Sequence, residues 1–191
     1  TAAPQPEAES IPTRAQHQEE ALRRQFPAGQ LRQLEVGDDA FLGLFLPAAQ
    51  PQPRGGILLI ADRDEHADSP DLIGPARRQL SEHGWHTLAI SLPAPLATPP
   101  APDEAAQTEA MAEMAERINK RINVATQALN AEGAETLVLL GRGEGAYWAL
   151  HATGEQASPR VEAAALVLHQ TRAPATAKDG DAQTTEWLAQ W

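Results

Sequence analysis

With 191 residues the chain has the size of one ordinary domain, long enough for one substantial hydrophobic core and too short for a multi-domain enzyme. Its 15 Lys and Arg against 26 Asp and Glu give a formal charge of −11, a field that repels phosphate backbones and anionic lipid, so nucleic acid is not an expected partner. There is no Cys, which removes disulfides, thiol nucleophiles and cysteine metal sites, and no apolar run approaches the roughly 20 residues of a membrane-spanning helix.

Thr1 to Pro12 carries three Pro among Gln, Glu and Ala and reads as a flexible lead, because it buries too little apolar surface to offset the entropy of ordering. Thr13 with Gln16 forms a weak capping-box pattern for a helix whose apolar side is Ala15, Ala21, Leu22 and Phe26, ending before Pro27 and Gly29. Residues 1–30 are therefore assigned as lead and helix, and 31–191 as the domain. Leu34 and Val36, the turn Gly37-Asp38-Asp39, and the apolar residues from Phe41 to Leu46 predict a β-hairpin that Pro47 closes.

A Pro-rich surface loop leads to Gly55-Gly56-Ile57-Leu58-Leu59-Ile60-Ala61, a continuous apolar run that predicts a strand buried on both faces. Leu72, Ile73, Ala76 and Leu80 recur at helical spacing between Pro70 and His83, with Gly84 ending the helix, and Trp85 to Leu92 is another strand. Pro93 to Pro102 has five Pro in ten residues and predicts an exposed loop. The clearest helix follows, with Met111, Ala115, Ile118, Ile122, Ala125 and Leu129 as its packing stripe and Glu113, Arg117, Lys120 and Arg121 away from it.

Gly133 ends that helix. Glu135 to Leu140 is a third buried strand, running into Gly141-Arg142-Gly143-Glu144-Gly145 and then a helix from Ala146 to about Thr153. Val161 to His169 predicts a fourth strand, and Thr184 to Trp191 a short helix with Trp187, Leu188 and Trp191 on one side. A hairpin followed by alternating strands and helices implies an α/β fold, a mostly parallel sheet with helices on both faces that reads as truncated after its sixth strand. Val161 to His169 would then be an apolar sheet edge, so a protein partner is expected at that edge or at the Trp187 and Trp191 tail.

The glycines at 141, 143 and 145 make a tight strand-to-helix turn. Gly141, Gly143 and Ala146 match a dinucleotide-binding spacing, but the turn follows the third buried strand rather than the first, and the next strand ends in Leu168-His169-Gln170 with no carboxylate for a ribose. No cofactor is expected.

The order of elements fits better. Phe41 to Pro47, Gly55 to Asp62, Ile73-Gly74-Pro75, Gly84 to Pro93, Leu139 to Leu150 and Val161 to Leu168 together resemble the α/β-hydrolase superfamily, over nearly all of residues 31 to 170. More narrowly, they resemble an uncharacterised bacterial branch, a domain of unknown function whose members are generally predicted to be exported. Together with a first residue other than Met and the absence of Cys, the resemblance implies a periplasmic protein with its signal peptide removed.

The resemblance also implies that the nucleophile position of the elbow Gly141 to Gly145 falls on Gly143, which carries no hydroxyl. No segment after His169 is long enough for the two later strands that bring the acid and His in relatives. The loop Ala61-Asp62-Arg63, the oxyanion-loop equivalent, holds carboxylates where many relatives have His-Gly. The expectation is a degenerate hydrolase without catalytic residues, acting as a binding or accessory protein. The alternative is a serine-hydrolase-type esterase whose acid and His lie outside this sequence, or which uses another nucleophile.

Other candidates have bland readings. Ser91, with His86 five residues earlier, lacks converging groups. His83 and His86 straddle a helix-to-strand junction with no third ligand, and His66 with Asp62, Asp64 and Asp68 reads as solvated surface rather than a cation site. Arg142 and Glu144 are expected to form a local surface pair, and no metal is expected.

Overall fold

A computed structural model describes residues 13–94, 103–154 and 161–164. Its elements run α1 (Arg14–Gln25), β1 (Leu31–Val36), β2 (Asp39–Leu46), β3 (Gly55–Ile60), α2 (Ile73–Glu82), β4 (Trp85–Ile90), α3 (Glu104–Ala131), β5 (Leu137–Gly141), α4 (Glu144–Gly154) and β6 (Val161–Ala164), with a short 3-10 turn at Ala28–Gln30. The lead Thr1 to Pro12, most of the Pro93 to Pro102 loop, the continuation of the last strand to His169 and the Trp187 and Trp191 tail lie outside the described residues.

The strands form one six-stranded sheet in the order β1-β2-β4-β3-β5-β6. The hairpin β1-β2 is antiparallel, β2 meets β4 antiparallel, and β4, β3, β5 and β6 run parallel. The predicted α/β architecture is thus the observed one. The hairpin forms because Gly37, at φ +58°, and Asp38 make a two-residue turn whose twist suits the strands, pairing Val36 with Asp39 and Leu34 with Phe41.

Adjacent strand residues point to opposite faces, and the sequence loads both faces with aliphatic groups. Leu58 and Ile60 join Phe41, Phe45, Leu88 and Leu139 under α3 and α4. Ile57 and Leu59 join Leu42, Leu44, Ala89 and Leu140 under α2 and Leu22 of α1. The Thr13–Gln16 capping box is formed in full, and α1 lies on the sheet through buried Leu22, with Phe26 packed beside it.

Several predicted boundaries move. Residues 91 and 92 follow β4 rather than belonging to it, β3 ends at Ile60, α2 starts at Ile73, β5 runs Leu137–Gly141 rather than from Glu135, and α4 begins at Glu144, so Gly145 is already helical. One face assignment is overturned. The stripe Ile118, Ile122, Ala125 and Leu129 is buried as expected, but Arg121, placed away from it, is buried too. Its guanidinium forks onto both oxygens of Asp39, at 2.6 and 2.7 Å, and lies 4.5 Å from the centre of the Phe41 ring. The ion pair and the ring satisfy a charge that helical spacing alone assigns to solvent.

The chain passes from β3 to β4 on one side, then crosses back over β3 to β5 on the other. Open α/β sheets bind ligands in the crevice at such a reversal, outside the carboxyl ends of the strands. The loop after β3 and the turn after β5 meet there.

Candidate functional site

Between β5 and α4 the backbone turns sharply. Arg142 extends the β3–β5 ladder by donating its N–H to the Ile60 carbonyl at 3.2 Å, and Gly145 N–H closes the turn on the Arg142 carbonyl at 2.8 Å. Gly143 stands at the apex with φ +56°, a left-handed conformation that costs a residue with a Cβ about 1–2 kcal/mol.

The space beside this apex is filled by Asp62. A Cβ built on Gly143 would come within 3.0 Å of three atoms of the Asp62 carboxyl group, closer than real Cβ atoms approach anything. Asp62 Oδ1 accepts the Glu144 N–H at 2.9 Å and the Arg63 N–H at 2.8 Å. The amino end of a helix has N–H groups without intrahelical partners and a partial positive charge, and here a carboxylate of the chain itself takes the first of them, that of Glu144.

The expected Arg142–Glu144 surface pair does not form. Glu144 is buried, and Arg63 grips its two oxygens at 2.5 Å each while the Trp148 indole N–H donates to Oε1 at 3.2 Å. Arg142 turns to Glu65 and, at 3.1 Å, to Asp71. The reason is reach: neighbouring side chains at a turn diverge, whereas the loop after Ala61 lies directly opposite. Each side therefore gives the other one arginine and receives one carboxylate. Glu65 Oε2 is left buried without a hydrogen-bond partner.

The remaining candidates disperse. Asp64 meets Arg14 at the surface, Asp68 is shared between Arg77 and Arg78, and His66 Nδ1 accepts the Asp68 N–H. Among the described residues no group of three or more His, Asp or Glu gathers as a cation would require. His86 lies near the amino end of β4, stacked on Phe45 with Nδ1 accepting the Ala48 N–H, while Ser91 follows the carboxyl end, about 16 Å away along an extended strand. His83 Nδ1 lies 2.7 Å from the Gln79 carbonyl oxygen of its own helix.

Trp148 escapes the sequence reading, though it is legible afterwards as the i+4 partner of Glu144 on α4. Arg63 is named there in the oxyanion-loop equivalent, but its pairing with Glu144, 81 residues away, has no local signal. Away from the apex, hydrogen bonds from Arg121 hold the Asp39 carboxyl below its ordinary value of 3.8 against the opposing effect of burial. Burial lowers the Arg77 guanidinium from its usual range, offset in part by Asp68.

Solved structures with this sheet and helix arrangement include Est1E from Butyrivibrio proteoclasticus, at 14% identity and TM-score 0.52, covering 71% of this chain and 49% of that one. The esterase Pf2001 from Pyrococcus furiosus matches at 11% identity and TM-score 0.52, over 70% of this chain and 48% of that one. The α/β hydrolase GrgF from Penicillium sp. sh18 matches at 17% identity and TM-score 0.52, over 71% and 44%. The chain spans about half the length of these proteins, and the likeness is one of fold. Among curated proteins none matches. No described helix is long and apolar enough to cross a membrane. A family profile described as "Protein of unknown function (DUF3530)" matches residues 1–114 and 102–191, and with an α/β-hydrolase-like fold the chain belongs to that family.

Proposed function

We propose that this protein is a non-catalytic α/β-hydrolase-like binding or accessory protein of the bacterial periplasm, its nucleophile elbow bearing Gly143 where hydrolytic relatives bear serine. One observation carries the reading: the Asp62 carboxyl group occupies the space a side chain at position 143 would need, and takes the Glu144 N–H. In acyl transfer the N–H after the nucleophile donates to a developing oxyanion. An anion already on that donor blocks the charge stabilisation that usually contributes most to catalysis. The periplasmic assignment rests on the exported branch that the sequence resembles.

The coverage of the esterase neighbours favours one other reading, an esterase-type hydrolase whose acid and His come from outside this sequence or which uses another nucleophile.

The test is turnover of p-nitrophenyl acetate by the protein. No rate above the protein-free control is expected, and Gly143→Ser alone brings none, because Asp62 fills the space the new side chain needs and stands on the oxyanion donor. Saturable turnover that Ser91→Ala abolishes would overturn the proposal. A thermal shift with NAD or ATP would replace it with a nucleotide-binding role.

A further inference from the structure

Five consecutive titratable residues, Asp62-Arg63-Asp64-Glu65-His66, bridge the gap between buried Ala61 and buried Ala67. Both roots are fixed. Ala61 N–H donates to the Ile90 carbonyl at 3.1 Å, and beyond Ala67 the Ser69 N–H and the His66 carbonyl close a turn at 2.9 Å, with the His66 N–H returning to the Ser69 hydroxyl. Between these roots the segment is held to the body of the protein chiefly by charge. Asp62 meets the amino end of α4, Arg63 meets Glu144, and Glu65 meets Arg142. Beside His66 a cleft of about 260 Å³ is lined by the α1 residues Arg14, His17 and Leu22, and Arg14 also donates to the Asp64 carboxylate and carbonyl.

We propose that Asp62–His66 is a charge-latched strap, an autoinhibitory cover over the amino end of α4 that opens as a unit while the sheet stays folded. The inference rests on the binding reading above, since a cover matters only where something is to be admitted. Four features support it. The strap lies at the crevice where this type of sheet takes ligands. Its latches are reciprocal, so releasing one carboxylate weakens the partner pair. A cleft adjoins its last residue, His66, and on the α1 side, among the described residues, only the exposed Arg14 holds it, through Asp64. Glu65 holds one oxygen buried and unpartnered, a cost that opening to water removes. The fixed root at Ala61 and the His66 bonds to Ser69 limit the motion to Asp62–Glu65, with His66 as the hinge.

Amide hydrogen exchange on the intact protein tests the strap. The Glu144 amide donates to Asp62 across the latch, so opening the strap exposes it. It is expected to exchange faster than Leu58 and Leu59 in the buried ladder. Glu65→Gln, which keeps the shape and weakens one latch, is expected to speed Glu144 exchange by about tenfold, the effect of losing one charge-assisted hydrogen bond, with Leu58 and Leu59 unchanged. Arg63→Lys provides a second, milder variant on the other latch and is expected to act in the same direction. If Leu58 and Leu59 accelerate equally, the segment is an integral part of the fold and the proposal is overturned. Unchanged Glu144 exchange in both variants overturns it too. Ester turnover by the protein would refute the non-catalytic reading without altering these rates, so the two failures are distinguishable.

Discussion

At the carboxyl edge of the parallel strands, Arg121 on α3 forks onto Asp39 at the start of β2, and its NH1 also reaches the Ser91 carbonyl at 3.4 Å. Along the same edge, Arg63 and Glu144, with Arg142 and Glu65, exchange charges between a loop and a turn. The first cluster joins two regular elements whose backbones are fixed by a ladder and a helix, and both carboxylate oxygens are engaged. The second joins an irregular loop to a turn and the first residue of α4, and leaves Glu65 Oε2 unmatched. The same chemistry acts as a rivet in one place and as a clasp in the other, and the difference lies in what each partner is rooted in.

The strongest way to break this contrast is to insert volume under each kind of support. A Cβ at Gly145 would press within 3.0 Å of the Ile60 and Ala61 carbonyl oxygens, backbone atoms that belong to β3 or its root and cannot retreat. Gly145→Ala is expected to cost about 3 kcal/mol or more in urea unfolding, the upper range for overpacking. The nearest atoms that a Cβ at Gly143 would meet all belong to the Asp62 side chain. Gly143→Ala is expected to cost less, and most of its cost beyond the left-handed backbone term is expected to vanish in the Gly143→Ala, Asp62→Gly double variant. A double-mutant cycle measures that coupling. A coupling of zero would mean that Asp62 does not fill the apex.

The rivet comes next. Asp39→Asn leaves the buried Arg121 with a neutral partner and is expected to cost about 2 kcal/mol, reduced from the value for fully buried pairs because Asp39 is part exposed. Its acid limb gives an independent check. The folded Asp39 value lies below the ordinary 3.8, so its contribution is complete above the unfolded value and is lost as pH falls through the lower folded one. The stability gap between the natural protein and Asp39→Asn should therefore close in acid and stay constant toward neutrality.

Much of the fold was legible because it is written in local patterns. The apolar runs at Ile57–Ile60 and Leu137–Leu140, the Gly37-Asp38 turn and the stripe Ile118, Ile122, Ala125 and Leu129 announce strands, hairpin and helix within a few residues. The apex was legible as a glycine turn for the same reason. What fills it was not. Asp62 and Glu144 are 82 residues apart, as are Asp39 and Arg121, and both contacts arise only when crossovers bring strand ends together. A charged residue carries no mark in the sequence of whether its partner is water or a distant side chain. Arg121 and Glu144 were accordingly placed on the surface and found inside.

The clasp predicts its own graded response. Glu144→Gln keeps an acceptor for the Trp148 indole but weakens the Arg63 pair, and is expected to destabilise by about 1 kcal/mol, less than loss of the rivet, because Arg63 is substantially exposed and can rehydrate. The indole N–H resonance of Trp148, assigned by comparison with Trp148→Phe, is expected to shift in this variant while the Trp85 indole stays in place.

The smallest effect is the sharpest test of whether burial, rather than charge count, makes the clasp. Asp64 lies in the middle of the strap and pairs with Arg14 of α1 at 3.4 Å, yet both side chains are largely exposed, at 80% and 70%. Water and salt already solvate such a pair, and exposed pairs of this kind contribute little or nothing measurable. Asp64→Asn is therefore expected to leave both the unfolding midpoint and the exchange of the Glu144 amide unchanged, although it removes as much formal charge from the strap as Glu65→Gln. An exchange response to Asp64→Asn as large as that to Glu65→Gln would mean that the net negative charge of the strap controls its opening, and the two specific arginine–carboxylate latches would lose their role.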